Sequence, residues 1–193
     1  MSLTVKDNSK TFLPAPQGLH IARCYALIDL GIQHNNRFNN YSSKVLIGWE
    51  LPNALMPDGK PFIQYQRYTA SLSEKAHLCQ LLESWRGRSF TSEELKGFHL
   101  KNILGVPCYL SITHTLNPKS QQVYSQIVGA CPLPEGTVCP LPFNPTLYFD
   151  LDEYSDDAYN AIPDSIRQKI NLTRGNQPVN AQAEQAATDD VAF

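Results

Sequence analysis

Three segments of alternating apolar and polar residues, one of helical period and two further alternating segments predict a mainly β fold. Their order is that of a five-stranded OB-like Greek-key barrel with a helical insert between strands 3 and 4. A final stretch poor in apolar residues predicts a disordered acidic C-terminal tail. The 193 residues divide accordingly into a domain over 1–170 with a Pro-rich surface extension, and a linker with an acidic tip over 171–193.

The polar lead-in over residues 1–17 ends in LPAPQG, and Gly18 opens the first strand, GLHIARCYALIDLGIQ. Strict alternation places Ala22, Cys24, Ala26 and Ile28 on one face and Ile21, Arg23, Tyr25 and Leu27 on the other. HNNRFNNYSS (34–43) is a loop dense in Asn and Ser with Arg37, Phe38 and Tyr41 embedded. In SKVLIGWELP, Val45, Ile47, Trp49 and Leu51 alternate against Lys44, Leu46, Gly48 and Glu50. Asp58-Gly59 marks a tight reversal before the third strand, PFIQYQRYTAS.

The period then changes. Ser71 and Glu74 have the spacing of a capping box, and Leu78, Leu81, Leu82 and Trp85 recur at helical spacing up to a stop at Gly87. Thr91 and Glu94 form a second box ahead of a short helix, and LKNILG closes the insert. VPCYLSITHTL and VYSQIVGACPLP are the last two strands. Pro132, Pro134, Pro140, Pro142 and Pro145 exclude regular helix or a central strand beyond them, leaving an extended segment on the barrel surface. A short helix is expected near Ser165 to Ile170.

The formal charge of -2 conceals an asymmetry: residues 1–147 hold 13 basic and 9 acidic side chains, net +4, and 148–193 hold 3 and 9, net -6. A mildly basic body suits an anionic partner and leaves the acidic end another task. The five cysteines (24, 79, 108, 131, 139) show no C-x-x-C spacing, so free thiols are expected and no metal or other cofactor. The absence of a secretory leader or long apolar run points to a cytoplasmic setting without membrane contact.

G-x-S-x-G, H-E-x-x-H, P-loop and G-x-G-x-x-G motifs are all missing, and His114 beside Ser111 has no third partner in the sequence, so no enzyme is expected. The acidic run Asp150, Asp152, Glu153, Asp156 and Asp157 reads as a solvated segment, with Mg²⁺ binding in a nuclease or annealing accessory as the alternative. A stronger pattern is the interleaving of aromatic and basic residues: Arg23, Tyr25, Arg37, Phe38, Lys44, Trp49, Tyr65, Arg67, Tyr68 and Tyr109. Single-stranded nucleic acid is held by such mixtures, because every base offers a π-face and every phosphate attracts a cation. Trp49 shares its face with Val45, Ile47 and Leu51, so core burial and stacking both fit it, and Tyr65 and Tyr68 fall on opposite faces.

The sequence finishes in TDDVAF after a linker of Gln, Asn, Ala and Pro. This arrangement resembles the tail of bacterial single-stranded DNA-binding proteins, in which an OB-fold precedes a low-complexity linker and an acidic tip ending in Phe. Phage single-stranded DNA-binding proteins with acidic tails are similar in plan. The resemblance implies a non-catalytic protein that coats single-stranded DNA in replication, recombination and repair. It also implies that Asp189, Asp190, Val191 and Phe193 dock in a basic, hydrophobic pocket on partner enzymes. Its setting would be the host cytoplasm for a phage-encoded chain, and self-association is compatible with it. Two departures are visible: Ala192 stands where the bacterial tip has Pro, and the acidic run has only two aspartates. The alternative is an OB-type adaptor whose body binds protein instead of DNA.

Overall fold

Every other strand is arranged about β1 (Gly18–Asn35), an 18-residue strand too long to serve a single neighbour along one edge. The computed structural model describes residues 13–35, 39–118 and 120–170. One edge of β1 pairs antiparallel with β2 (Asn40–Leu55), which pairs in turn with β3 (Pro61–Thr69). The other edge is shared. Residues 18–23 pair with β4 (Pro107–Leu116), which carries β5 (Val123–Cys131), and residues 26–28 pair in parallel with β6 (Leu147–Phe149). The order β3-β2-β1-β4-β5 is a Greek key, with the fourth strand returned beside the first. Side chains join the two ends: the Ser125 hydroxyl donates to Gln64 Oε1 (2.6 Å), and Gln64 Nε2 donates to the Ser125 carbonyl (3.1 Å). The mainly β, OB-like expectation is met, with β6 as a sixth strand.

Alternation holds along β2, where Val45, Ile47, Trp49 and Leu51 all face the core. It fails on β1. Cys24 pairs with Trp49 and Ala26 with Gly48, so Tyr25 is an extra residue and parity reverses there. Ala22, Cys24 and Leu27 therefore point into the barrel, whereas Ile28 and, past a second irregularity, Leu30 point out.

Helix α1 (His77–Arg86) lies in the connection from β3 to β4 and buries Leu78, Cys79, Leu81, Leu82 and Trp85 against the barrel. The Trp85 indole N–H donates to the Pro107 carbonyl (3.2 Å), and its ring lies 5.9 Å from Trp49. Gly87 closes the helix at φ 68°, a left-handed conformation that costs a residue without Cβ little. The expected box at Ser71 and Glu74 does not form. The N-cap of α1 is Ala76, and the Ser71 hydroxyl instead accepts from the Ser73 N–H (3.2 Å). The second box does form, at the start of α2 (Ser92–Lys96): Thr91 Oγ1 accepts from Glu94 N and the Glu94 carboxylate accepts from Thr91 N. Arg86 and Arg88 both converge on that carboxylate. The Arg88 hydrogen bond and the Thr91 N–H hold the Glu94 pKa down at about 2.

A second core lies outside the barrel. Phe149 of β6, Ile162 just after α3 (Asp156–Ala161), Ile166 of α4 (Asp164–Arg167) and Ile170 beyond it cover Ile28, Leu30 and Leu46 on the outer face of β1 and β2. Helix α4 falls near the expected site; α3, with Ser155 accepting from Ala158 N, was not foreseen. Among the described residues no helix is long and apolar enough to cross a membrane.

Candidate nucleic-acid interface

In OB-folds, oligonucleotides bind on the face of strands 2 and 3 and on the loops beside it. Here the corresponding outer face is largely occupied by the chain itself. Glu50, fully buried, accepts from Phe143 N (3.1 Å), Asn144 N (3.0 Å) and Asn144 Nδ2 (2.9 Å), fastening the Pro-rich segment to the barrel. Arg23, its neighbour across the β1–β2 ladder, brings Nη1 to 3.8 Å from Glu50 Oε1. Tyr25, thrown outward by the bulge, is buried and hydrogen-bonded to the Tyr65 hydroxyl. Burial, then the neighbouring Tyr65, raises the Tyr25 pKa well above the ordinary phenol range. Tyr65 lies over Gly48, where a Cβ would stand 2.6 Å from its ring. Tyr65 also packs on the second core, so this face presents little free aromatic surface.

Three further residues expected at the interface are buried, which corrects the expectation of Tyr68 and Lys44 as contacts and, for Trp49, selects the core alternative that its alternation had left open. Trp49 and Tyr68 lie in the barrel core, with no ring face at the surface, because they share the inward parity of Val45 and Ile47. Lys44 is buried with Nζ donating to Thr69 Oγ1 (2.6 Å). Tyr109 is half-buried on a different face, formed by β1, β4 and β5. Arg37, Phe38, Asp189, Asp190, Val191 and Phe193 lie outside the described residues.

Rings and cations do converge elsewhere. At the far end of the β1–β2 hairpin, His34 and Tyr41 face each other across the ladder with ring centroids 4.7 Å apart, and Tyr41 is 54% exposed. They line a groove of about 580 Å³ with Arg67 from β3 and Lys169 beyond α4, floored by Leu30, Ile32 and Leu46. Gln33 Nε2 donates to the carbonyls of Leu30 (2.7 Å) and Lys169 (3.1 Å), tying the hairpin to the C-terminal segment that forms the opposite wall. Two exposed rings tilted 48° to each other, with a guanidinium and an ammonium lining the same groove, offer the aromatic faces and cations that a base and its phosphates require. Of the residues expected at the interface, only Arg67 is described in this groove. Arg37 and Phe38 flank it in sequence. His34 and Lys169 escaped the sequence reading: a histidine in an Asn-rich loop and a lysine in an acidic stretch carry no local signal, and 135 residues separate them.

The acidic run has local duties. Asp150 accepts from the Tyr148 hydroxyl (2.8 Å) and from Asp152 N (2.8 Å), and Asp156 and Asp157 occupy the first turn of α3, where helix N–H groups favour negative charge. Burial, then the bond to Asp150, pushes the Tyr148 pKa up to about 12. Asp29, facing this run, has its carboxyl pKa raised chiefly by burial. Among the described residues no group of three or more His, Cys, Asp or Glu is placed to hold a metal ion. No protein-family model matches this chain, and no curated protein matches it in sequence.

Proposed function

We propose that this protein binds single-stranded DNA without a catalytic step, using the groove at the end of the β1–β2 hairpin. The observation that carries the reading is the exposed His34–Tyr41 ring pair beside Arg67 and Lys169. The OB-like strand order supports it, since the β1–β2 loop is one of the two loops with which OB-folds grip oligonucleotides. The acidic tip supports the choice of DNA through its resemblance to single-stranded DNA-binding proteins. In that reading, Asp189, Asp190, Val191 and Phe193 recruit replication or recombination enzymes in the cytoplasm. Stacking tolerates any base, so binding is sequence-tolerant.

Anisotropy of a labelled oligo-dT, titrated over a range of salt, tests this. Contacts from Arg37, Arg67 and Lys169 correspond to a log-log salt slope of about -2, at roughly -0.7 for each phosphate on a single strand. No binding at low salt contradicts it, and Mg²⁺-dependent loss of the strand favours a nuclease instead.

A further inference from the structure

We propose that His34 is a further phosphate contact, made only by its charged imidazolium. On the reading of the hairpin groove as the DNA site, the protein then grips single-stranded DNA more tightly as pH falls below neutral. Imidazole is the side chain whose charge ordinarily changes between about pH 5 and 8. His34 is exposed at the end of β1, where the groove brings it together with two cations, Arg67 of β3 and Lys169 beyond α4. Among the described residues that line the groove none is acidic, and the other polar ones are Gln33, Tyr41 and Gln168. In sequence, Arg37 follows His34 by three positions.

The ring is held in a way that suits both charge states. Its Nε2 lies 3.1 Å from Asn39 Oδ1, an atom that only accepts, so Nε2 carries the hydrogen. Imidazolium donates from both nitrogens, so a second proton, on Nδ1, leaves this bond in place. The Tyr41 ring lies across the ladder with its centroid 4.7 Å from that of His34, within the distance at which a cation is drawn to a ring. The neutral imidazole can stack on a base but brings no charge. The imidazolium adds a cation beside Arg67 and Lys169, and a DNA phosphate supplies the anion. By reciprocity, bound DNA must favour the proton on His34 as much as the proton favours DNA. Each phosphate contact on a single strand steepens the log-log salt slope by about 0.7, so adding His34 to Arg37, Arg67 and Lys169 takes it from about -2 to about -3. At about 0.1 M salt one such contact corresponds to roughly a fivefold gain in affinity.

Oligo-dT anisotropy with the full chain at about pH 8 and about pH 5.5, across the ordinary imidazole range, tests this. Wild type should bind roughly fivefold tighter at the lower pH, with the steeper salt slope. His34→Gln, which keeps an amide donor for Asn39, should lose the response to pH. His34→Lys, charged at both, should bind as tightly at the higher pH as at the lower. His99→Gln removes an exposed histidine from a separate groove, lined also by Asp150 and Asp152, and should keep the full response. Titration calorimetry in buffers of different protonation enthalpy gives a second reading: near neutral pH, wild type takes up a fraction of a proton on binding oligo-dT and His34→Gln takes up none. Both histidines are exposed, so circular dichroism melts of the variants should match wild type. Equal wild-type affinity at the two pH values, a response that survives in His34→Gln, or binding without proton uptake overturns this role of His34 and leaves the groove as the DNA site. No binding of oligo-dT at either pH refutes the groove as the DNA site, and this role with it.

Discussion

Replacing Glu50 by alanine removes the carboxylate that fastens the Pro-rich segment to the barrel. Three N–H groups lose their acceptor, and the Arg23 guanidinium, mostly buried, loses the anion 3.8 Å away. A hydrogen bond to a charged group contributes about 1.5–3 kcal/mol net. Water can replace the acceptor for part of a released surface segment, so the three losses do not simply add. Stranding one member of a buried ion pair costs about 3–5 kcal/mol, and we take that range for the whole substitution. For a domain of this size it lowers Tm by roughly 6–20 °C, at about 2–4 °C for each kcal/mol. Thermal melts followed by circular dichroism measure it. A second assay reads the segment itself: in a Cys131→Ser background, Cys139, whose thiol pKa burial now raises, should react faster with a disulfide reagent once the segment is loose. Unchanged Cys139 reactivity together with a Tm within about 2 °C of wild type refutes the fastening role.

Gly48→Ala should destabilise by about 1–3 kcal/mol, because the new methyl meets the Tyr65 ring at 2.6 Å and displaces it from Tyr25; a melt equal to wild type contradicts this. Both tryptophans are buried, so acrylamide should quench their emission weakly and oligo-dT should leave it nearly unchanged; strong quenching by either places a ring at the surface. The Glu94 carboxyl, watched by NMR, should titrate near 2. Its pKa is lower in the folded state, so its support of the helical insert is complete above the ordinary value of 4.5 and fades as pH falls toward 2. A midpoint near 4.5 would show that the contacts to Arg88 and Thr91 do not persist in solution.

The strand order and the β2 core positions were legible in the sequence because the inward parity of Val45, Ile47, Trp49 and Leu51 runs through β2 with no extra residue to break it. Beyond Cys24, β1 was not. It is apolar on both faces, since it serves the barrel core on one side and the second core on the other, and alternation offers no mark for the extra residue at Tyr25. The two capping boxes look alike in sequence. Thr91 precedes a helix start directly, whereas Ser71 sits five residues ahead of Ala76, and the tertiary position of Leu78 and Leu82 decides where α1 begins. The interface was harder for a related reason. Whether Tyr65, and Tyr25 bonded to it, meet solvent depends on residues 143–170, which fold back across strands some ninety or more positions earlier. Local pattern identifies residues suited to stacking; long-range burial decides which of them remain available.

The most direct test compares oligo-dT affinity of Tyr41→Ala with that of Tyr109→Ala. Tyr41 stands at the mouth of the basic groove, and Tyr109 lies on the different face formed by β1, β4 and β5. Loss of one stacked ring costs about 1–3 kcal/mol, so Tyr41→Ala should weaken binding roughly 5- to 150-fold while Tyr109→Ala leaves it unchanged. Wild-type affinity in Tyr41→Ala, with the loss in Tyr109→Ala, would contradict the placement of the DNA site.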